Sequence, residues 1–328
     1  MESPGLTDLQ VNGYAGVDFN DAALTADAMD HALHAMRAAN VTTCLPTLIT
    51  ADLPTLHARL TALDAAVEHS RFGRHMVPGF HLEGPFLNPT AGYAGCHPPQ
   101  AMIQPDPAVL ADLTKSLRRP VLLLTLAPER PKAPALIAWA RANGMMVAMG
   151  HTAADEAITN EAAQAGVTLS THLGNALPQP QPKFRNPLMA QLANDALHAS
   201  FIADGIHIPP DALKVLIRAK TPARSILVTD ATSAAAAPPG LYTFAGMTIE
   251  HTSDGSVRIP GTTTLAGSAL TLDQAVRNLV AWNLADPATA LAMASTRPAT
   301  HLTPALAHHR IALPATRVTW TADLYPVA

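Results

Sequence analysis

The sequence predicts a (β/α)8 barrel, and three observations support this prediction. About eight short apolar segments alternate with segments of helical periodicity, which is typical of a parallel sheet with right-handed crossovers. The chain has 328 residues, a length that suits one such barrel. Polar side chains recur directly after the apolar segments, at the end where barrels carry their active sites. An open doubly wound sheet is the alternative, but no Gly-rich dinucleotide turn follows the first predicted strand.

The first half of the chain contains four predicted strand and helix units. Strands are predicted over residues 6–12, 41–46, 76–82 and 121–126, and helices over 25–40, 53–69, 106–117 and 133–143. The run 121–126 is apolar throughout, as expected for a strand buried on both faces. Residues 88–104 are rich in proline and glycine and are predicted to form a loop.

The second half continues the alternation. Strands are predicted over residues 145–149, 167–171, 199–203 and 225–229, and helices over 154–165, 188–194, 210–219, 271–285 and 287–295. Residues 178–187 carry four prolines and predict a stiff loop. Residues 234–240 are low in complexity and predict a flexible segment. Residues 241–259 predict one or two β-hairpins with a turn at Asp254-Gly255, and residues 310–327 predict two short strands.

Composition excludes several classes of function. A formal charge of −4 and a pI near 6.4 provide no basic field for nucleic acid. No stretch is apolar for long enough to span a bilayer. The two cysteines, Cys44 and Cys96, are too few for a disulfide framework. No signal peptide is expected at the N-terminus, and we therefore expect a cytoplasmic protein.

Polar residues end six of the predicted strands. They are Gln10 and Asn12 on the first, Glu83 on the third, His151 on the fifth, His172 on the sixth, Asp204 and His207 after the seventh, and Asp230 on the eighth. In a barrel these ends meet at one mouth. The sequence therefore predicts an active site built from residues far apart in the chain.

The most informative of these residues is Glu83, because a carboxylate at the end of an apolar strand is costly to bury unless it is paired or binds a metal. With His151 and His172 it forms a set that suits a catalytic zinc with an open position for water. Such an ion lowers the pKa of bound water towards about 7. Asp230 could then accept the proton as water attacks a carbonyl and return it to the leaving nitrogen. The set predicts metal-assisted amide hydrolysis.

Simpler interpretations exist for single residues. A histidine at a strand end is often a structural hydrogen-bonding group, and Asp230 could merely cap the next turn. Asp204 is expected to brace its loop, and His81 is interpreted as structural.

Eight segments together resemble a known family. They are residues 4–13 (PGLTDLQVNG), 45–50 (LPTLIT), 81–88 (HLEGPFLN), 150–152 (GHT), 171–178 (THLGNALP), 202–207 (IADGIH), 227–232 (LVTDAT) and 264–271 (TLAGSALT). They resemble, in the same order, the N-acetylglucosamine-6-phosphate deacetylases of the amidohydrolase superfamily. The resemblance implies a (β/α)8 barrel of the metal-dependent amidohydrolase type.

The resemblance also implies roles for individual residues. Glu83, His151 and His172 match the metal ligands, and Asp230 matches the catalytic acid and base. His97 matches a histidine that contacts the sugar and helps to polarise the acetyl carbonyl, so it is assigned to both catalysis and substrate binding.

The remaining implied residues bind the substrate. Asn175, the backbone N–H of Ala176, and His207 match phosphate and sugar contacts. Arg185 falls where the family places an arginine that reaches the phosphate from a neighbouring subunit, and a guanidinium fork suits a phosphate. A solvated loop charge is the alternative for Arg185. The expected partners are a small amino-sugar phosphate and a second copy of the chain in a homodimer.

One divalent metal ion is expected, with Zn²⁺ as the first choice and Fe²⁺, Mn²⁺ or Co²⁺ as alternatives. Many amidohydrolases carry His-x-His where this chain has Gln10-Val11-Asn12. Neutral amides are poor zinc ligands compared with imidazole. A second metal is therefore not expected.

The domain prediction follows from the same resemblance. Residues 1–305 are assigned to the barrel, with a β-hairpin insertion near 241–260, and residues 306–328 to a C-terminal remnant of the small β-domain. Most of the usual N-terminal β-domain is expected to be missing, so the β-sandwich domain is reduced or absent.

The expected reaction is hydrolysis of the acetamide of N-acetylglucosamine-6-phosphate to glucosamine-6-phosphate and acetate. The alternatives are a deacetylase acting on another N-acetyl sugar (N-acetylgalactosamine-6-phosphate or an unphosphorylated sugar) or on an N-acyl amino acid, and a cyclic deaminase. A non-catalytic binding protein is also conceivable. The intact set of Glu83, His151, His172 and Asp230 argues against it.

Overall fold

Eight parallel strands form a barrel in the computed structural model, which describes residues 1–327. They are β1 (Leu6–Val11), β2 (Val41–Ile49), β3 (Phe80–Glu83), β4 (Val121–Leu126), β5 (Met146–Met149), β6 (Val167–Ser170), β7 (His198–Ile202) and β8 (Ser225–Val228). Each strand pairs with the next in chain order. A parallel bridge between Val11 and Ala231 joins the first strand to the residues after the last. The predicted (β/α)8 barrel is confirmed.

Helices connect the strands on the outside of the barrel. They cover Ala26–Ala38, Leu53–His69, Gly73–Met76, Pro107–Thr114, Ala133–Ala142, Glu156–Ala165, Pro187–Ala193, Pro210–Lys220, Leu272–Ala281, Pro287–Ala294 and Thr296–His309. Two 3-10 turns, Pro99–Ala101 and Pro222–Arg224, complete the set. Several helices begin where an aspartate accepts a backbone N–H of the first turn, as Asp52, Asp155 and Asp286 do. Such caps satisfy donors that the helix itself leaves unpaired.

The barrel wall is buried on both of its faces. All six residues of β1 and all six of β4 are buried. The predicted strand at 121–126 is thereby confirmed. Glu83 is the last residue of β3, and His151 and His172 lie two residues after the ends of β5 and β6. These polar side chains therefore lie at the C-terminal ends of the strands.

Two expectations about elements were wrong. The strand predicted over 76–82 begins only at Phe80, because Gly73–Met76 forms a helical turn. Helix Thr296–His309 was not predicted, since Pro298 and Pro304 within it are residues that usually break helices. This helix runs through the predicted domain boundary between residues 305 and 306.

The first and last described residues meet in a small antiparallel sheet. Strand Glu2–Pro4 pairs with Arg317–Thr319. Trp320 is 2% exposed, and its indole N–H donates to Ser3 Oγ at 2.8 Å. A bridge between Trp320 and Pro326 follows. The assignment of residues 306–328 to a domain remnant stays a prediction, and Ala328 lies outside the described residues.

A three-stranded antiparallel sheet covers one side of the barrel mouth. It consists of Gly240–Phe244, Met247–His251 and Val257–Arg258, in agreement with the predicted hairpins. Phe244 and Ile249 pack with Ile49 at the end of β2. Ala234 and Ala235 are fully buried, so the segment expected to be flexible is partly packed into the core.

Within residues 1–327, no helix combines the length and the apolar character that a membrane crossing requires.

Candidate active site

A cavity of about 380 Å³ opens at the C-terminal ends of the barrel strands. Residues from six of the predicted strand ends line it. They are Asn12, Glu83, His151, His172, His207 and Asp230. The residues therefore meet at one mouth of the barrel, as the parallel arrangement of the strands requires.

Glu83 lies at the centre of this group and is 2% exposed. His172 Nε2 lies 3.0 Å from Glu83 Oε1, and His151 Nε2 lies 3.5 Å from the same oxygen. On the other carboxylate oxygen, Oε2, Gln10 Nε2 donates at 3.1 Å and His97 Nε2 lies 3.7 Å away. One buried carboxylate thus faces three imidazoles.

His97 reaches the group from the loop after β3, outside the strands. Its Nδ1 accepts the backbone N–H of Thr50 at 3.4 Å and lies 3.0 Å from Thr50 Oγ1. These contacts turn Nε2 towards Glu83. One ligand atom each from Glu83, His97 and His151 lies within 4.8 Å of the others.

The donor set fits a divalent metal ion. A carboxylate with imidazole nitrogens is the ligand chemistry of catalytic zinc and related ions. The predicted set of Glu83, His151 and His172 converges, and His97 lies close enough to Glu83 and His151 to be a fourth candidate. Which three of the four bind the ion stays a prediction.

Burial and charge set the protonation of the group. Burial lowers the pKa of His97 to about 3, so this imidazole is neutral and keeps a lone pair. Burial alone would raise the pKa of Glu83, but hydrogen bonds from His151 and His172 hold it well below its ordinary value. Glu83 is therefore ionised. The ionised carboxylate suits metal binding, which requires deprotonated ligands. His97 carries its proton on Nε2 while Nδ1 accepts from Thr50, so it would have to change tautomer to bind the ion through Nε2.

Three residues of the site have left-handed backbone conformations. The φ angles are 49° at His151, 30° at His172 and 50° at Asp230. Non-glycine residues adopt such angles at a cost of about 1–3 kcal/mol each. The turns aim these side chains inward at the point where each strand has just ended.

Asp230 is held by two side-chain amides. Its Oδ1 accepts Asn12 Nδ2 at 2.7 Å and Gln10 Nε2 at 3.1 Å. Its Oδ2 has no hydrogen-bond partner within residues 1–327. Burial, followed by the negative charge of Glu83, raises the pKa of Asp230 above its ordinary value. The arrangement leaves one oxygen of a basic carboxylate free to exchange a proton.

A second buried acid lies behind Asp230. Asp8 is fully buried on β1, and its Oδ2 accepts the hydroxyl of Thr229 at 2.6 Å. Its Oδ1 accepts the backbone N–H groups of Gln10 at 3.3 Å and Thr229 at 3.2 Å. Burial raises the pKa of Asp8 to about 7. Asp8 ties the strand that carries Gln10 to the strand that carries Asp230.

His81 does not contribute to the cavity. Its Nε2 lies 2.8 Å from Thr125 Oγ1 and its Nδ1 lies 3.2 Å from Thr47 Oγ1, inside the barrel. Burial lowers the pKa of His81 to about 4. The structural interpretation of this residue is confirmed.

The opposite wall of the cavity includes Asn175, Ala176 and His207. His207 Nδ1 lies 2.6 Å from Asp204 Oδ2. The other carboxylate oxygen of Asp204, Oδ1, accepts the backbone N–H of His207 at 2.8 Å. Asp204 therefore braces its loop, as expected. The hydrogen bond to Asp204 leaves Nε2 of His207 available for a ligand.

Arg185 does not line this cavity. It lines a separate surface cavity with Phe184 and Met189, beside Asp155 and Glu156. Phe184 is 77% exposed. A single copy of the chain does not bring the guanidinium of Arg185 to the site, so its predicted role needs a second copy.

No protein-family model matches the chain. It is 35% identical over 298 residues to an N-acetylglucosamine-6-phosphate deacetylase of Danio rerio, covering 84% of this chain and 69% of that protein. The chain belongs to the N-acetylglucosamine-6-phosphate deacetylase family. Members of this family are hydrolases that act on amide bonds.

Two further relatives support the assignment to the deacetylase family. An N-acetylgalactosamine-6-phosphate deacetylase of Escherichia coli O157:H7 is 34% identical over 297 residues, covering 90% of this chain and 76% of that protein. A solved deacetylase of Mycobacterium smegmatis, an aspartate-to-alanine mutant in complex with N-acetyl-D-glucosamine-6-phosphate, superposes with a TM-score of 0.86. The two sequences are 30% identical, and the superposition covers 99% of this chain and 84% of the Mycobacterium smegmatis chain.

Several supporting residues were not predicted from the sequence. Glu129 accepts Asn88 Nδ2 at 2.8 Å and the backbone N–H of Ala153 at 2.6 Å, and it also accepts the hydroxyl of Thr152. These contacts fix the turn that carries His151. The importance of Asp8 could have been predicted, because it is an acidic residue within a buried strand, as Glu83 is. Glu129 lies in a polar loop, and nothing in the sequence around it indicates a role.

Proposed function

We propose that this chain hydrolyses the acetamide of N-acetylglucosamine-6-phosphate to glucosamine-6-phosphate and acetate. The observation that supports the proposal is the placement of Asp230 beside the Glu83 and histidine group, in one cavity of a deacetylase-family barrel. Asp230 has a free oxygen, and Glu83 with its imidazoles offers a metal site. Together they supply a proton acceptor and an electrophilic centre.

In this proposal Asp230 moves the proton. Its Oδ1 is fixed by Gln10 and Asn12, so Oδ2 accepts the proton of the attacking water and then donates it to the leaving nitrogen. A raised pKa makes the carboxylate a better base. Oδ2 of Asp230 therefore serves in both proton transfers, the one from water and the one to the leaving nitrogen.

Glu83, His151 and His172 are the proposed metal ligands, and a divalent ion bound there would supply a positive centre that favours ionised water and a polarised carbonyl. Zn²⁺ is the proposed ion. His97 is neutral and lies against the same carboxylate, so it can donate from Nε2 to the acetyl oxygen if Nδ1 keeps accepting from Thr50. This places one donor where negative charge develops.

The phosphate end of the substrate is proposed to lie against Asn175, the backbone N–H of Ala176, and His207. Within residues 1–327 of a single copy, no arginine or lysine lines the cavity. Arg185 of a second copy is proposed to supply the missing positive charge in a homodimer. The enzyme is proposed to work in the cytoplasm, where its two free thiols, Cys44 and Cys96, would stay reduced.

A second substrate is favoured by one specific observation. The Escherichia coli relative, 34% identical, is named an N-acetylgalactosamine-6-phosphate deacetylase. The two substrates differ only in the configuration of one hydroxyl. The choice between them depends on the sugar contacts in the cavity.

Acetate release tests the proposal. The purified chain is assayed with N-acetylglucosamine-6-phosphate, N-acetylgalactosamine-6-phosphate, unphosphorylated N-acetylglucosamine and an N-acyl amino acid, and the metal content of the same sample is measured. We expect the highest kcat/KM for the first, and Asp230→Asn serves as the inactive control. Equal rates with and without the phosphate would contradict the assigned phosphate contacts, and no acetate from any compound would overturn the proposed reaction.

A further inference from the structure

A larger cavity, of about 580 Å³, lies at the opposite end of the barrel. It is bordered by the N-terminal ends of β5, β6 and β7 and by helix Thr296–His309. Its size falls within the range of about 300–1,000 Å³ that is typical of small-molecule sites. Met145, Met146 and Pro304 give it an apolar wall. None of the residues assigned to the candidate active site borders it.

The polar side of this cavity is basic. Arg141, Arg297, His198 and His301 line it, and no aspartate or glutamate does. Neither guanidinium lies within 4.0 Å of a carboxylate of residues 1–327. Asp286 interacts electrostatically with Arg297, but its carboxylate caps the N-terminus of helix Pro287–Ala294.

Arg297 has an incomplete set of partners. It is half-buried, and its one hydrogen bond within the described chain runs from Nη1 to the Thr289 carbonyl at 3.4 Å. A guanidinium offers five N–H donors in a planar fork. Burying such a group without an anionic partner is costly. The cavity therefore presents a cation whose natural partner is an anion.

The two imidazoles add donors without adding charge. Their ring centroids lie 4.6 Å apart. His301 Nε2 lies 3.3 Å from Thr168 Oγ1, whereas His198 Nδ1 is buried without a partner in the described chain. Burial lowers the pKa of both groups, to about 4 for His301, so both rings are neutral near pH 7. Each neutral ring can still donate one hydrogen bond.

We propose that this cavity is a second ligand site, which binds a small organic anion through Arg297, Arg141 and the His198–His301 pair. The anionic group is a carboxylate or a phosphate, since a guanidinium fork matches both. The methionines and Pro304 accommodate an apolar body. This inference does not depend on the proposed deacetylase reaction.

Arginine modification provides a local test. The whole chain is treated with phenylglyoxal, and the rate of modification of each arginine is followed by peptide mass mapping in sodium phosphate, sodium acetate, or sodium chloride of equal ionic strength. We expect phosphate, acetate or both to slow modification of Arg297 and Arg141 several-fold relative to chloride. Exposed Arg118, which lies elsewhere on the surface, should react equally in all three. Because neither Arg297 nor Arg141 lines the catalytic cavity, binding there does not produce this protection.

Comparison of the phosphate and acetate conditions identifies the chemical class of the ligand. Protection by phosphate alone assigns a phosphate ligand, and protection by acetate alone assigns a carboxylate ligand. Unchanged modification of Arg297 in every salt would overturn the proposal. Equal slowing of Arg118 would also overturn it, because the effect would then be an adventitious one of the salt.

Calorimetry of the variants provides an independent measurement. Titration of whichever of phosphate or acetate protects Arg297 should give at least tenfold weaker binding to Arg297→Gln, which corresponds to about 1.4 kcal/mol, and unchanged binding to Arg118→Gln. If Arg297→Gln does not fold, the exposed Arg141→Gln takes its place. Wild-type affinity in the variant that folds would contradict the site.

Discussion

Asn12 donates a hydrogen bond from its side-chain amide to Oδ1 of Asp230 at 2.7 Å. An amide N–H can only donate to a carboxylate, so the contact favours the ionised form of Asp230. Asn12 Oδ1 is buried without a partner within residues 1–327. The Gln-x-Asn segment therefore orients Asp230, the proposed proton-transfer group.

Gln10→Leu should lower kcat while the protein keeps its metal. The variant removes the donor that lies 3.1 Å from both Glu83 Oε2 and Asp230 Oδ1. Hydrogen bonds to charged groups contribute about 1.5–3 kcal/mol, so a decrease of about 10- to 100-fold is expected. Steady-state kinetics and metal analysis measure the two effects. Substitution of the exposed Gln164 by leucine is the matched control. A wild-type kcat in Gln10→Leu would show that the hydrogen bonds of Gln10 to Glu83 and Asp230 do not contribute to turnover.

Asp230→Asn should keep both the metal and substrate affinity and lose most turnover. The amide cannot accept and return a proton, whereas its shape is nearly that of the acid. Losses of at least about 100-fold are expected for removing a general acid and base. Calorimetric binding of N-acetylglucosamine-6-phosphate and single-turnover acetate release separate binding from chemistry. A variant that turns over at the normal rate would exclude Asp230 from this role.

Removal of the metal should abolish acetate release, and added Zn²⁺ should restore it. Glu83→Gln should lower the metal content, because a neutral amide replaces the carboxylate to which three imidazoles point. Metal-to-protein ratios, measured for wild type and for the exposed control Glu161→Gln, check this. An unchanged ratio in Glu83→Gln would remove Glu83 from the ligand set, and full activity after chelation would remove the metal from the reaction.

Asp8→Asn should change the pH dependence of stability. The pKa of Asp8 is about 7 in the folded chain and about 3.9 when unfolded. The folded state therefore holds the proton more tightly. This contribution to stability is complete below pH about 4 and is lost as the pH rises through about 7. Relative to Asp8→Asn, wild type should lose as much as about 4 kcal/mol of unfolding free energy between these limits.

The asparagine side chain fits the same contacts. Its oxygen can accept the backbone N–H groups of Gln10 and Thr229, and the Thr229 hydroxyl can donate to the Gln10 carbonyl 3.2 Å away. Urea unfolding at several pH values measures the difference. Parallel curves for wild type and variant across the window would contradict a raised pKa for Asp8.

Arg185→Ala should raise KM for the phosphorylated substrate several-fold and leave the unphosphorylated substrate unaffected. The reason is that Arg185 lies outside its own catalytic cavity and would serve a neighbouring copy. Sedimentation of the wild-type chain should therefore show a dimer. Lys183→Ala, on the same loop, is the control. A monomer with an Arg185-dependent KM would refute action across an interface.

The barrel and the convergence of Glu83 with His172 were predictable from the sequence. Alternation of apolar and helical segments gave the strands, and parallel strands must end at one mouth. His97 was implied only by the resemblance, because its position depends on contacts between a proline-rich loop and Thr50. Glu129 and the bridging role of Gln10 depend on side-chain hydrogen bonds between distant segments, which periodicity does not encode. Helix Thr296–His309 was not predicted because it contains two prolines, which usually break helices.

His151, His172 and Asp230 all have left-handed φ angles. Glycine would occupy each of these three turns more comfortably than the residue now present. A library screened for heat tolerance alone should therefore enrich glycine at the very positions that we propose carry the chemistry. Any attempt to make this protein more robust needs a simultaneous screen for activity, since thermal selection and catalysis favour opposite residues there.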